Sequence, residues 1–63
     1  MPMIQVDMFE GRSDEQVREY AQALTDATCR ILGCAPLDVT IILRDVPRSR
    51  WATGGSMWIR SVE

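Results

Sequence analysis

Pro2 is the residue of this 63-residue chain with the most distinctive chemistry, because it directly follows Met1. Removal of Met1 leaves Pro2 with a free secondary amine, and an α-amino group can accept and return a proton near neutral pH. No other amine is available, since all seven basic residues are arginine and guanidinium groups stay protonated in proteins. Many chains begin Met-Pro without using the proline in catalysis. Pro2 is therefore a candidate general base whose role depends on the residues around it.

Arg12 is the second candidate, because it directly precedes Ser13, where a helix is predicted to begin. The start of a helix carries the positive end of the helix dipole and disfavours a cation. An arginine in that place indicates an anionic partner, and guanidinium groups bind carboxylates through two parallel hydrogen bonds. The alternative is an exposed arginine that pairs with Glu10 or Asp14.

The elements that position these residues follow from hydrophobic spacing. Residues 3–9 alternate between apolar and polar side chains, which predicts a strand. Ser13 with Gln16 three residues later forms a capping-box pattern, and the helix that starts there runs for about 19 residues to Gly33. Pro36 is expected to prevent the helix from restarting. The apolar run at 39–45 is typical of a strand with both faces covered.

Strand, helix and strand in this order predict an α/β fold: a βαβ protomer with parallel strands and a right-handed crossover. Pro47 then breaks the chain, residues 48–51 form a short turn, and Gly54-Gly55 precedes a terminal strand or hairpin at 56–59. The chain contains no linker or repeat. Residues 1–63 are therefore expected to form a single domain.

A domain of this size needs support beyond its own core, since about 60 residues bury only about 60% of the surface of the unfolded chain. Cys29 and Cys34 do not form a disulfide framework, and the chain has no histidine to complete a zinc site. Both cysteines are expected to be small buried hydrophobic residues, with a redox role as the alternative. With 46% hydrophobic residues, the composition instead favours an oligomer.

Charge and hydropathy exclude several classes of partner. The net charge is −2 and the arginines are scattered, so no basic surface for nucleic acid is predicted. No apolar run approaches the length of about 20 residues that a membrane span requires, and no signal peptide is recognisable. We expect a cytoplasmic protein that binds neither nucleic acid nor membranes.

A combination of motifs spread over the whole chain resembles the 4-oxalocrotonate tautomerase family. These motifs are Pro2, Glu10-Gly11-Arg12-Ser13-Asp14-Glu15-Gln16, Ala35-Pro36-Leu37, and an aromatic residue followed by Gly54-Gly55. The resemblance implies that Met1 is removed and that protomers pair into a dimer with a four-stranded sheet. It further implies a trimer of such dimers, built from one chain or from two related chains. Catalysis is expected to need no cofactor and no metal ion.

The resemblance also implies roles for individual residues. Pro2 matches the family's general base, Arg12 matches the first of two arginines that bind substrate, and Trp51 matches an aromatic wall of the site. The physics suits these roles, because partial burial and nearby arginines favour the neutral, proton-accepting form of an amine.

One position departs from the family pattern, because the second arginine aligns with Thr40. Arg44 lies on the same strand face about 13 Å further along, and it is the candidate substitute. Arg48 and Arg50 flank the predicted turn and are alternatives, although each is also typical of a solvated surface. Without such a substitute, a dicarboxylate is expected to gain little over a monocarboxylate of the same skeleton.

The function expected from the resemblance is a cofactor-independent tautomerase of small unsaturated 2-oxo or 2-hydroxy carboxylates. A different class is a largely non-catalytic subunit that completes a hetero-oligomer and contributes Arg12 to a partner's site. Such a subunit can retain Met1, which leaves the Pro2 nitrogen as an amide that cannot act as a base. A βαβ protein that binds small anions without chemistry is a third possibility.

The start of the chain also resembles one subunit of a heterohexameric dehalogenase of trans-3-chloroacrylate. That subunit carries an arginine where this chain has Phe9 and a glutamate where it has Thr53. Both residues are absent here, so the dehalogenase-like hydratase is the weaker interpretation within the family.

Overall fold

The computed structural model describes residues 1–58 and shows a βαβ unit followed by a small hairpin. Its elements are β1 (Met3–Phe9), α1 (Asp14–Leu32), a 3-10 helix (Pro36–Asp38), β2 (Thr40–Val46), a second 3-10 helix (Arg48–Arg50), β3 (Ala52–Thr53) and β4 (Ser56–Met57). The predicted α/β architecture is thus confirmed. The last residue of the expected hairpin, Ile59, lies outside the described residues.

The two long strands are parallel, as expected for a βαβ crossover. Met3 lies opposite Thr40 and Phe9 opposite Val46, so the pairing extends over the full length of both strands. Exposure alternates along β1, where Ile4, Val6 and Met8 are half-buried. Side chains alternate between the two faces of a strand, so these three residues share one face of the sheet. This is the face that α1 covers. The opposite face of this two-stranded sheet carries exposed side chains of β1.

Both ends of α1 are fixed by local interactions that the sequence predicts. The Ser13 Oγ accepts a hydrogen bond from the Gln16 backbone N–H at 3.1 Å, and the Gln16 side chain accepts one from the Ser13 backbone N–H at 3.2 Å. At the other end, Gly33 adopts a left-handed conformation with a φ of 73°. Its N–H donates to the Cys29 carbonyl at 2.9 Å, which caps the helix.

The segment after α1 differs from the sequence expectation. Pro36 ends the possibility of a continued α-helix but begins a 3-10 helix, since proline is tolerated at the first helical position. Val39 caps that short helix by donating its N–H to the Pro36 carbonyl at 3.1 Å. The second strand therefore begins at Thr40, one residue later than predicted.

Cys29 and Cys34 are both half-buried free thiols rather than fully buried residues. Cys34 follows the glycine that caps α1 and lies near Cys29. Burial, followed by the neighbouring Cys34 thiol, raises the pKa of the Cys29 thiol above its ordinary value. The thiolate form of Cys29 is therefore disfavoured near neutral pH.

The protomer has no buried core within residues 1–58, because no side chain in this part of the chain is fully buried. Its accessible surface is 4994 Å², against about 4100 Å² for a compact monomer of the same mass. The radius of gyration is 14.9 Å, whereas a compact domain of this length has about 11 Å. The isolated protomer is therefore too open to be stable by its own packing. Within residues 1–58, no helix combines the length and apolar character that crossing a membrane requires.

We predict that the folded protein is an oligomer, because both strands of the sheet have an open edge and one sheet face is uncovered. The family resemblance implies that this oligomer is a hexamer. Sedimentation at micromolar concentration measures this directly. A folded, monodisperse monomer would contradict the prediction. A folded dimer would mean that the contacts needed to join dimers into a trimer of dimers are absent.

A second prediction concerns the N-terminal cap of α1, which follows Arg12 directly. Ser13→Ala removes the hydroxyl that accepts from Gln16 and should lower the free energy of unfolding by about 1 kcal/mol per protomer. Chemical denaturation at a fixed protomer concentration measures the change. Ser13→Thr keeps an accepting hydroxyl and is the control. Equal destabilisation by both variants would show that the cap is not the cause.

Candidate active site

Pro2 lies immediately before β1 and is half-buried. Its carbonyl accepts a hydrogen bond from the Thr40 backbone N–H at 3.1 Å, which extends the parallel ladder by one residue. The Thr40 side chain takes no part in this bond. The backbone of β2 therefore holds Pro2 at the N-terminal end of the sheet.

Arg12 lies beyond the opposite end of β1. Its Nη1 donates to the Phe9 carbonyl at 2.9 Å, and within residues 1–58 it forms no ion pair with Glu10 or Asp14. Seven residue steps separate Pro2 from Phe9, which corresponds to about 23 Å of extended chain. Pro2 and Arg12 of one protomer are therefore too far apart to contact the same small molecule.

Phe9 is the centre of an aromatic group at the C-terminal end of β1, here called the Phe9 cluster and comprising Phe9, Arg48, Trp51 and Trp58. The Trp51 ring lies 4.5 Å from the Phe9 ring at an interplanar angle of 55°, and the Trp58 ring stacks at 5.6 Å and 23°. The Trp58 backbone N–H donates to the Trp51 backbone carbonyl at 2.6 Å, which closes the hairpin. The Arg48 Cζ lies over the Phe9 ring, 4.7 Å from its centre.

The Phe9 cluster brings two of the predicted site residues together, since Arg12 and Trp51 both contact Phe9. Pro2 is at the far end of the strand and is not part of this group. These candidate residues of one protomer thus lie in two places. Pro2 is at one end of the sheet, and Arg12 and Trp51 are at the other.

Arg44 has a partner within its own protomer. Its Nε donates to the Asp7 Oδ1 at 2.8 Å across the parallel register, and both side chains are about half exposed, at 51% each. The hydrogen bond from Arg44 lowers the pKa of the Asp7 carboxyl below its usual range. Binding of substrate by Arg44 stays a prediction. It would require the guanidinium to donate hydrogen bonds to Asp7 and to the substrate at the same time.

A cavity of about 380 Å³ opens between β1 and the first turns of α1. It is lined by Val6, Asp7, Met8, Arg12, Gln16, Val17 and Tyr20. Of the four predicted site residues, only Arg12 lines it. No lining residue comes from β2, so the cavity lies toward the open edge of β1, where the strand of another copy can pair. Within residues 1–58, no three cysteine or carboxylate side chains are grouped closely enough to hold a metal ion.

Sequence reasoning did not identify Phe9 as the residue that organises this end of the sheet. The available signal is a large aromatic residue at the end of β1, on the face that α1 does not cover, together with two tryptophans near the C-terminus. The Asp7–Arg44 pair was also missed. Its two residues are 37 positions apart, and only the strand register places them side by side.

Comparison with known proteins identifies the family. The family described as "Tautomerase enzyme" matches residues 2–59. The 2-hydroxymuconate tautomerase of Comamonas testosteroni is 34% identical over 55 residues, which cover 87% of each chain.

Solved structures agree with the family match. TomN, a 4-oxalocrotonate tautomerase homologue of the tomaymycin biosynthetic pathway, superposes with a TM-score of 0.84 at 38% identity, covering 89% of this chain and 86% of TomN. A heterohexameric 4-oxalocrotonate tautomerase from Chloroflexus aurantiacus gives 0.83 at 34% identity, covering 92% and 94%. The βαβ unit, the motifs around Pro2 and Arg12, and these matches lead to one conclusion: the chain belongs to the tautomerase family and is an isomerase of the 4-oxalocrotonate tautomerase type.

Proposed function

We propose that this protein is a cofactor-independent keto–enol tautomerase of small unsaturated 2-oxo or 2-hydroxy carboxylates, with the Pro2 amine as general base. The observation that carries the proposal is the position of Pro2. It follows Met1 in a chain with no lysine and no histidine, and it is fixed to β2 at the start of the sheet. Family membership supports the reaction type.

The proposed chemistry is an internal proton transfer. The neutral Pro2 nitrogen accepts a proton from the substrate, from the hydroxyl of an enol or from the carbon next to a carbonyl. The resulting ammonium returns a proton to another position of the same conjugated system. No atom is gained or lost, so no second reactant is needed. Partial burial and nearby guanidinium groups favour the neutral amine between turnovers.

The site we propose is built from more than one protomer. About 23 Å of extended chain separates Pro2 from Phe9, where the Arg12 guanidinium binds, whereas a small carboxylate must touch both the base and a cation at once. A neighbouring copy that places its Phe9 cluster and Arg12 near the Pro2 of another copy meets this requirement. The heterohexameric relative from Chloroflexus aurantiacus supports assembly, and a hexamer of one or two chain types is part of this proposal.

The proposed roles of the remaining residues follow from their chemistry. The Arg12 guanidinium binds the substrate carboxylate, since it has hydrogen bonds to spare after its contact with the Phe9 carbonyl. Trp51 provides a flat apolar wall for the conjugated part of the substrate. This wall excludes water and strengthens the contacts between the ions inside the site.

A second candidate is a largely non-catalytic subunit of a hetero-oligomeric tautomerase. The presence of Thr40 in place of a second arginine favours it, and a relative of this kind exists as a heterohexamer. In that case this chain contributes its Arg12 and Trp51 to a partner's proline. The two candidates differ in whether the purified chain alone converts a 2-oxo acid.

We predict that activity requires the free Pro2 amine. Protein lacking Met1 should ketonise phenylenolpyruvate or 2-hydroxymuconate, and its rate should fall as the pH drops below the pKa of the amine, because protonation removes the base. Protein that fully retains Met1 should be inactive, and mass spectrometry of the amino terminus defines the two samples. Equal rates for both samples would show that Pro2 is not the base.

We also predict that Arg12→Ala lowers kcat/KM by about tenfold to hundredfold, because it removes a charge-assisted contact of roughly 1.5–3 kcal/mol. Steady-state kinetics with a 2-oxo or 2-hydroxy carboxylate measures the loss. Arg18→Ala, on the exposed face of α1, removes the same charge away from the Phe9 cluster and should leave the rate unchanged. A similar loss in both variants would point to overall charge rather than to substrate contact.

A further inference from the structure

Arg48 is exposed, and its guanidinium lies over Phe9 at the end of β1. Its Cζ lies 4.7 Å from the centre of the Phe9 ring, and its backbone carbonyl accepts from the Trp51 backbone N–H at 3.3 Å. A guanidinium over an aromatic face uses that face for its contact. Its N–H groups point outward in its own plane and remain able to donate to an anion.

Arg12 reaches the same residue from the backbone side, through its hydrogen bond to the Phe9 carbonyl at 2.9 Å. Arg12 and Arg48 therefore contact the same residue, one at its backbone carbonyl and the other at its ring. In the part of the chain from 1 to 58, the one ion pair joins Arg44 and Asp7, so no carboxylate neutralises Arg12 or Arg48. Each of the two guanidinium groups can therefore donate to an anionic group of a ligand.

The other arginines that the sequence offers in place of Thr40 are placed differently. Arg44 is engaged by Asp7. The contact that the structure gives the Arg50 guanidinium is a long hydrogen bond of 3.4 Å to the carbonyl of its neighbour Ser49. Of these three arginines, Arg48 is the one that the structure places in contact with Phe9, the residue that Arg12 also contacts.

We propose that Arg48 binds a second anionic group of the substrate while Arg12 binds the first, and thereby provides the second positive charge that Thr40 cannot supply. Phe9 is the residue that positions the Arg48 guanidinium. The inference rests on the proposed function for the identity of the substrate. Binding can nevertheless be measured without turnover, so the two proposals can fail separately.

The test uses two compounds with the same skeleton that the enzyme cannot tautomerise. trans,trans-Muconate carries a carboxylate at each end of a six-carbon diene, and sorbate carries only one. Isothermal titration calorimetry of the assembled wild-type protein should show tighter binding of muconate. Arg48→Gln should weaken muconate binding by about tenfold and sorbate binding by less than about twofold, because Arg12 remains to bind one carboxylate.

Two matched variants separate the role of Arg48 from a general effect of charge. Arg50→Gln removes the same charge two residues away and should leave both affinities unchanged. Arg48→Lys keeps the charge but loses the planar guanidinium that lies over Phe9, so it should retain part of the muconate affinity that Arg48→Gln loses. Raising the salt concentration should weaken muconate binding more in the wild type than in Arg48→Gln.

Phe9→Leu tests the positioning role, since it keeps apolar bulk and removes the ring. It should weaken muconate binding in the wild-type background and have no further effect in the Arg48→Gln background, because the two residues act as one unit. Additive losses would show that Phe9 does not act through Arg48.

The outcomes distinguish the two proposals. If Arg48→Gln leaves the preference for muconate over sorbate intact, or if Arg50→Gln removes it equally, Arg48 is not the second cation. Failure of the wild type to bind either compound overturns the inference as well. If the preference depends on Arg48 while Met1-free protein converts no 2-oxo acid, the binding role stands and the proposed function fails.

Discussion

The length of β1 is the constraint on which the rest of the structure depends. Seven residues of extended chain separate the only candidate base from the cations and aromatic rings at the other end. The same short unit leaves no side chain of residues 1–58 fully buried. One protomer is thus too small to form a core and too long to close a site around a small acid. In the assembly that we propose, packing that covers the open face also brings opposite strand ends together.

Phe9 shows how a chain with few aromatic residues can organise the end of a sheet. One ring contacts two tryptophans and one guanidinium, while the backbone of the same residue binds a second guanidinium. The aromatic contacts anchor the hairpin to β1, since the hairpin strands are only two residues long. Two-stranded hairpins of this size are not stable alone in water. Stability of the C-terminal segment and placement of Arg48 therefore depend on the same side chain.

How far the sequence predicts this structure depends on the range of the interactions. Both ends of α1 were predicted because Ser13, Gln16 and Gly33 act within a few residues of one another. The start of β2 was displaced by one residue, since a 3-10 helix at Pro36 competes locally with the strand. The Asp7–Arg44 pair was not predicted because it depends on register over 37 positions. The roles of Pro2, Arg12 and Trp51 came from family resemblance, whereas the position of Arg48 on Phe9 required the folded chain.

The hydrogen bond from the Thr40 backbone N–H to the Pro2 carbonyl makes the anchoring of Pro2 independent of the side chain at position 40. A backbone N–H holds Pro2, and every residue except proline provides this donor at position 40. The side chain there is free to change without loosening the amine from the sheet. In the site that we propose, the binding charge can move from one strand to a distant turn while Pro2 stays in place. Substrate preference and the geometry of proton transfer can then vary independently in proteins of this design.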